Sequence, residues 1–131
     1  NIILWVKESI ENQKNIKVVS DQWRTPTLAE DLAMGCYLSA TKKETGIFNI
    51  SGKDMLTPYD MAIKTANYFN LDKSFIAEAD STTFSQIAKR PAKTGFVIDK
   101  AVATLGYQPH SFDEGIAILD RQLQELLKIE S

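Results

Sequence analysis

Two short segments hold the side chains best suited to chemistry. The first is Asp21-Gln22-Trp23-Arg24-Thr25-Pro26-Thr27, which leads into the predicted start of a helix. Free backbone N–H groups and the helix dipole attract anions at such a start. Arg24 adds a fixed guanidinium whose fork matches phosphate oxygens. The second is Lys89-Arg90-Pro91-Ala92-Lys93, with three cations in five residues. Pro91 confines Arg90 to extended backbone and so helps to aim its side chain. On spacing alone, solvated loops carrying ordinary surface arginines are the simpler account of both segments. Trp23, beside Arg24 in the loop, either stacks on a planar ligand or plugs the core.

Other chemistry finds little support. The single histidine, His110, neighbours Ser111 and Asp113, which a helix cap explains without a catalytic triad. The single cysteine, Cys36, falls on a predicted apolar helix face and reads as a core residue rather than a nucleophile. The acidic pairs Glu30/Asp31 and Asp113/Glu114 sit in predicted first helical turns, where the dipole favours negative charge. The glycines are Gly35, Gly46, Gly52, Gly95, Gly106 and Gly115, and none has the spacing of a dinucleotide or phosphate-binding loop. One histidine and one cysteine far apart make a zinc site improbable. The residues therefore predict no catalytic centre, no cofactor site and no metal site in this chain.

A chain of 131 residues suits one domain and can hold a modest core. A net charge of −2 argues against a nucleic-acid partner, which calls for a basic stripe. No apolar run approaches the ~20 residues that span a bilayer, and no signal peptide is legible. A lone cysteine excludes an intrachain disulfide and is consistent with a reducing, cytoplasmic setting. The chain opens at Asn1 without a methionine, as a cut piece or a processed product would.

The elements that must position the two loops follow from periodicity. Asn1 caps a helix whose apolar face is Ile3, Val6 and Ile10. Ile16 to Ser20 is a β-branched strand. Thr27 and Glu30 form a capping box for a helix to about Ala40, with Leu28, Leu32, Cys36 and Ala40 on one face. Ile47 to Ile50 reads as a second strand. Thr57-Pro58 starts a helix with Met61, Thr65, Ala66 and Phe69 facing inward. Trp5, Tyr59, Tyr68 and Phe69 sit at helical positions, where core packing is the default. A third strand falls at Phe75-Ile76-Ala77, and Ala79 to Thr94 is mostly polar and irregular. A short helix from Asp99 stops at Gly106, and Ser111 to Glu114 caps the last helix, with Phe112, Ile116, Leu119, Leu123 and Leu126 in register. The alternation predicts an α/β or α+β-like arrangement, a small sheet with about five helices. Three short strands are a thin sheet for so many helices, which implies a packing partner outside this chain.

Several strings together carry a family resemblance. Val19 to Thr27 followed by Asp31-Leu32-Ala33 resembles the motif after the catalytic half of dTDP-4-dehydrorhamnose reductases. Gly46 to Gly52 is similar to that family's next strand and glycine turn. Arg90-Pro91 with Asp99, Leu105-Gly106-Tyr107-Gln108-Pro109 and Ser111 to Ile116 resembles its C-terminal signature and last helix. The order is right, and the matches run through nearly the whole chain.

The resemblance implies the C-terminal substrate domain, residues 1–131, of an extended short-chain dehydrogenase/reductase, with an upstream Rossmann domain as partner. NAD(P)H and the Tyr-x-x-x-Lys pair would belong to that upstream half. None of Tyr37, Tyr59, Tyr68 and Tyr107 is followed by Lys at the fourth position. The substrate implied is a nucleotide-sugar of the dTDP-4-keto-6-deoxyhexose type. Carried over by motif, Arg90 matches the Arg-Pro arginine, and Arg24 falls where related epimerases place a phosphate-facing arginine. Asn1 would cap a helix beside the nucleotide, and Gln22 and Thr25 are polar contacts or loop braces. The resemblance also implies that Ile47 to Ile50 extends the Rossmann sheet; left alone, its edge invites pairing with a second copy as a homodimer. Two other readings stay open: a non-catalytic binding subunit like the methionine adenosyltransferase regulatory subunits, which share this scaffold, and a related sugar-nucleotide epimerase.

Overall fold

The computed structural model describes residues 1–84 and 90–130. Helix α1 (Ile2–Glu11) leads to strand β1 (Ile16–Val19), then α2 (Ala29–Thr41) and α3 (Pro58–Tyr68). A short 3-10 turn (Lys73–Phe75) precedes β2 (Ile76–Ala79), and α4 (Asp99–Leu105) and α5 (Phe112–Glu130) close the chain. The two strands pair in parallel with Ile16 opposite Ile76 and Val19 opposite Ala79.

The main core lies where α1, α3 and the sheet meet. Val6 and Ile10 pack with Ile16, Val18, Ala62, Ala66 and Ile76, all buried. Each fully buried Val or Ile side chain stabilises by roughly 1.5–3 kcal/mol. The carboxamide oxygen of Asn1 accepts from the Ile3 N–H at 2.9 Å, so the predicted cap of α1 forms. Thr57 and Asp60 close a reciprocal capping box on α3, at 3.0 and 2.9 Å. A second cluster, Ala101, Leu105 and Tyr107, gathers Leu38, Phe48, Ile50 and Ile98 around it. Gly106 ends α4 at φ 69°, the left-handed region that favours glycine.

Helix α5 begins as its sequence dictates. Ser111 Oγ accepts from the Glu114 N–H at 3.2 Å, and the Glu114 carboxylate accepts from the Ser111 N–H at 2.6 Å. The Ser111 backbone bond holds the Glu114 carboxyl below its usual range. Asp54 takes the next free donor, Phe112 N–H, at 2.7 Å. Ser111→Ala is expected to cost about 1 kcal/mol. Thermal unfolding followed by circular dichroism should show a midpoint about 4 °C lower.

Four expectations are corrected. Ile47 to Ile50 lies outside both strands, and Ile47 is 86% exposed. An extended segment becomes a strand only beside another backbone, and β1 pairs with β2 instead; Phe48 and Ile50 pack onto the second cluster. Thr27 does not cap α2. Its hydroxyl donates to the Thr25 carbonyl and accepts from the Gly52 N–H, while Glu30 accepts from Gln122. Helix α2 is rotated from its predicted face: Asp31 and Gly35 are buried, whereas Leu32, Cys36 and Ala40 are exposed. The cause is close approach, because a Cβ on Gly35 would lie 2.4 Å from Ile50 Cγ2. Finally, Trp5, Tyr68 and Leu126 are not core residues, at 45%, 44% and 57% exposure. They lie beyond the buried stripes of their helices, and periodicity marks only the stripe.

Candidate anion-binding trough

The loop after β1 is held on two sides by main-chain bonds. Trp23 N–H donates to the Ala92 carbonyl at 2.7 Å, and Thr94 N–H donates to the Trp23 carbonyl at 3.0 Å. One residue later, Arg24 and Leu56 exchange a pair of bonds at 2.9 and 2.8 Å. The loop is thus laced between the segment around Ala92 and the entry to α3. Asp21 ties its base, accepting from Ser81 N–H at 3.0 Å and Ser81 Oγ at 2.7 Å. The Ser81 hydroxyl, then its N–H, keep the Asp21 carboxyl below the usual range.

This lacing brings the two arginines together. Arg24, Arg90, Gln22, Pro91 and Thr94 line one hollow of about 240 Å³. Gln22 is buried, and its side-chain oxygen accepts from Arg24 Nη2 at 2.9 Å. The Arg24 guanidinium is therefore oriented before any ligand arrives, which lowers the entropy lost on binding. Arg90 is exposed, and Lys89 lies outside the described residues.

A second hollow of about 410 Å³ adjoins the first, since Gln22 and Arg24 line both. Asn1, Ile2 and Trp5 bring α1 to it, Lys17 and Val19 bring β1, and Phe84 completes it. Two residues singled out in the sequence take other places. Thr25 accepts from the Phe96 N–H at 3.4 Å as a brace, and Trp23, 37% exposed, contributes its backbone; neither lines either hollow.

A family model, the RmlD substrate binding domain, matches residues 1–125. The chain belongs to the RmlD substrate binding domain family. Among solved structures, a dTDP-4-dehydrorhamnose reductase of Clostridium acetobutylicum superposes with a TM-score of 0.84 at 24% identity, covering 95% of this chain and 44% of that one. The dTDP-4-dehydrorhamnose reductase of Bacillus anthracis in complex with NADP gives 0.78 at 23% identity, over 93% of this chain and 43% of that one. The dTDP-glucose 4,6-dehydratase of Bacillus anthracis in complex with NAD gives 0.71 at 14% identity, over 88% and 36%. At these identities the likeness is one of fold. This RmlD-type domain spans less than half the length of these structures. No curated protein sequence matches the chain.

Two further residues of the RmlD-type domain were not legible as a pair. Asp31, buried at the start of α2, accepts from the His110 N–H at 2.8 Å and meets His110 Nδ1 at 2.7 Å. It joins α2 to the segment before α5. The adjacent Tyr107 is buried, and its hydroxyl donates to the Ser51 carbonyl at 3.0 Å. Burial first, and the Asp31 charge second, hold that phenol above its ordinary value. Asp31-Leu32-Ala33 stood among the family strings, but that motif named no partner for Asp31. Among the described residues, no three His, Cys, Asp or Glu side chains gather as a metal-binding set, and no helix is long and apolar enough to cross a membrane.

Proposed function

We propose that residues 1–131 form the substrate-binding domain of an NAD(P)-dependent reductase and receive a nucleotide-sugar of the dTDP-4-keto-6-deoxyhexose type. One observation carries this reading: two arginines from segments distant in sequence, Arg24 and Arg90, line the same hollow. A diphosphate carries paired negative charge and several acceptor oxygens, and two arginine forks match both. Arg24, fixed by Gln22, serves as the rigid half of the clamp. Arg90, exposed, serves as the half that closes on the ligand. Thr94 lines the hollow as a polar neighbour.

NAD(P)H would be bound by a Rossmann domain outside this chain and would supply hydride to the keto sugar. This domain's own work is to bind and orient. The chain alone is therefore expected to turn over no NAD(P)H with any keto-sugar nucleotide. The exposed, unpaired Cys36 suits a reducing, cytoplasmic setting for the parent enzyme.

The clamp is tested by calorimetric titration of the chain with thymidine 5′-diphosphate. Arg90→Ala is expected to weaken binding by about 1.5 kcal/mol, roughly tenfold, the usual loss of a charged hydrogen-bond partner. Arg24→Ala should act in the same direction. Affinity unchanged in both variants would remove the diphosphate from this hollow.

A further inference from the structure

The two arginine-bearing segments are held together by more than main-chain bonds. Arg24 exchanges its backbone bonds with Leu56, which brings the adjoining Met55 to the loop. Trp23 bonds to Ala92 and Thr94 on the other side. Those bonds fix register, and the side chains between the segments fix the gap. Gly95 stands at that gap with no side chain. A Cβ there would lie 2.2 Å from Met55 Cε, 2.9 Å from Met55 Sδ and 3.0 Å from Thr25 Cγ2. Met55 therefore fills the place that a side chain at 95 would take. Glycine permits close approach of this kind, and an unbranched thioether suits an irregular gap. The next residue, Phe96, donates its N–H to Thr25 Oγ1 at 3.4 Å. Upstream, the ring of Pro91 stiffens the link to Arg90. Arg90 is exposed, so the backbone that carries it sets its distance from Arg24.

We infer that Met55, packed on Gly95, is a positioning residue that sets the separation of Arg24 and Arg90, and so the fit of a diphosphate between them. This rests on the diphosphate reading of the arginine hollow. Neither Met55 nor Gly95 lines that hollow, so their effect passes through the arginine segments. Bulk added at 95 presses the 92–96 segment away from Thr25 and Met55 and shifts Arg90 relative to Arg24. Bulk removed at 55 makes room for it. Gly95→Val adds a Cβ and its γ-methyls, and Met55→Ala removes Cγ, Sδ and Cε, so the two volumes nearly balance. Volume-conserving exchanges are the ones that packed sites tolerate best.

Titration of the chain with thymidine 5′-diphosphate tests the inference through a mutant cycle. Gly95→Val is expected to lose about fivefold in affinity, within the roughly tenfold that Arg90→Ala costs. Adding Met55→Ala to Gly95→Val should return the affinity to within about twofold of wild type. In an Arg90→Ala background, Gly95→Val should change affinity by less than about twofold, because the group it displaces is gone. A substitution that only loosened the fold would act equally in both backgrounds. Should Gly95→Val not fold, Gly95→Ala decides by the same cycle, since its Cβ alone overlaps Met55 Cε. If Arg90→Ala weakens binding while Gly95→Val leaves affinity unchanged, or acts equally in both backgrounds, the positioning role falls and the diphosphate clamp stands. Failure of Met55→Ala to restore the Gly95→Val variant has the same meaning. If the wild-type chain does not bind the nucleotide, both fall.

Discussion

Gly52→Ala is expected to lower the unfolding midpoint by about 10 °C, a large effect for one added methyl group. A Cβ on Gly52 would lie 1.9 Å from the Pro26 carbonyl oxygen and 3.0 Å from its carbon. Both contacts are with backbone, so no side chain can swing aside. Overpacking commonly costs about 1–3 kcal/mol, and this case belongs at the top of that range. With about 2.1 cal/mol/K of unfolding entropy per residue, a loss of about 3 kcal/mol becomes the stated shift in a chain of this length. Gly52 N–H also donates to Thr27 Oγ1, and neighbouring Ser51 accepts from Tyr107. Displacement of this turn therefore strains the loop that carries Arg24, and nucleotide affinity should fall as well. Gly115→Ala is the contrast. Its Cβ would meet only Leu28 Cδ1 at 3.9 Å, inside α5, so alanine should be neutral or stabilising. A Gly52→Ala midpoint within 2 °C or so of wild type would mean that Pro26 and Gly52 are not packed this closely.

Asp31→Ala is expected to cost about 3 kcal/mol in urea unfolding at neutral pH. The side chain is buried, and it accepts from both the backbone and the ring of His110. Hydrogen bonds to a charged acceptor are worth about 1.5–3 kcal/mol each, and the variant removes two at once. It also takes from the His110 N–H the acceptor that Asp31 provides. Asp31→Asn keeps an oxygen for that N–H and should recover about half of the loss. His110→Ala removes only the ring contact, so it should cost less than Asp31→Ala. Equal costs for the two would show that the backbone bond contributes nothing.

The elements that pack by a simple stripe were legible in the chain. Ile3, Val6 and Ile10 announce the buried face of α1, and Thr57-Pro58 and Ser111 to Glu114 announce the starts of α3 and α5. Helix α2 was not legible in this way. Its packing is decided by the absence of a side chain at Gly35 and by a buried carboxylate at Asp31, and a hydrophobic pattern sees neither. Cys36 therefore faces outward where an apolar face was expected. The segment Ile47 to Ile50 has β-forming residues, but strand formation depends on a neighbouring backbone, which composition does not specify.

The residues of the site divide along the same line. Sequence alone determined the inventory: two arginine-bearing loops, the caps of three helices, no glycine-rich loop, and a family resemblance along nearly the whole chain. Those are local properties, set by side-chain chemistry and by spacing of a few residues. Only the tertiary structure decided that Arg24 and Arg90 share a hollow, that Gln22 fixes one guanidinium, and that Trp5 rather than Trp23 faces the adjoining space. The first of those results depends on main-chain bonds between segments far apart in sequence, Trp23 with Ala92 and Arg24 with Leu56, whose pairing no local pattern encodes.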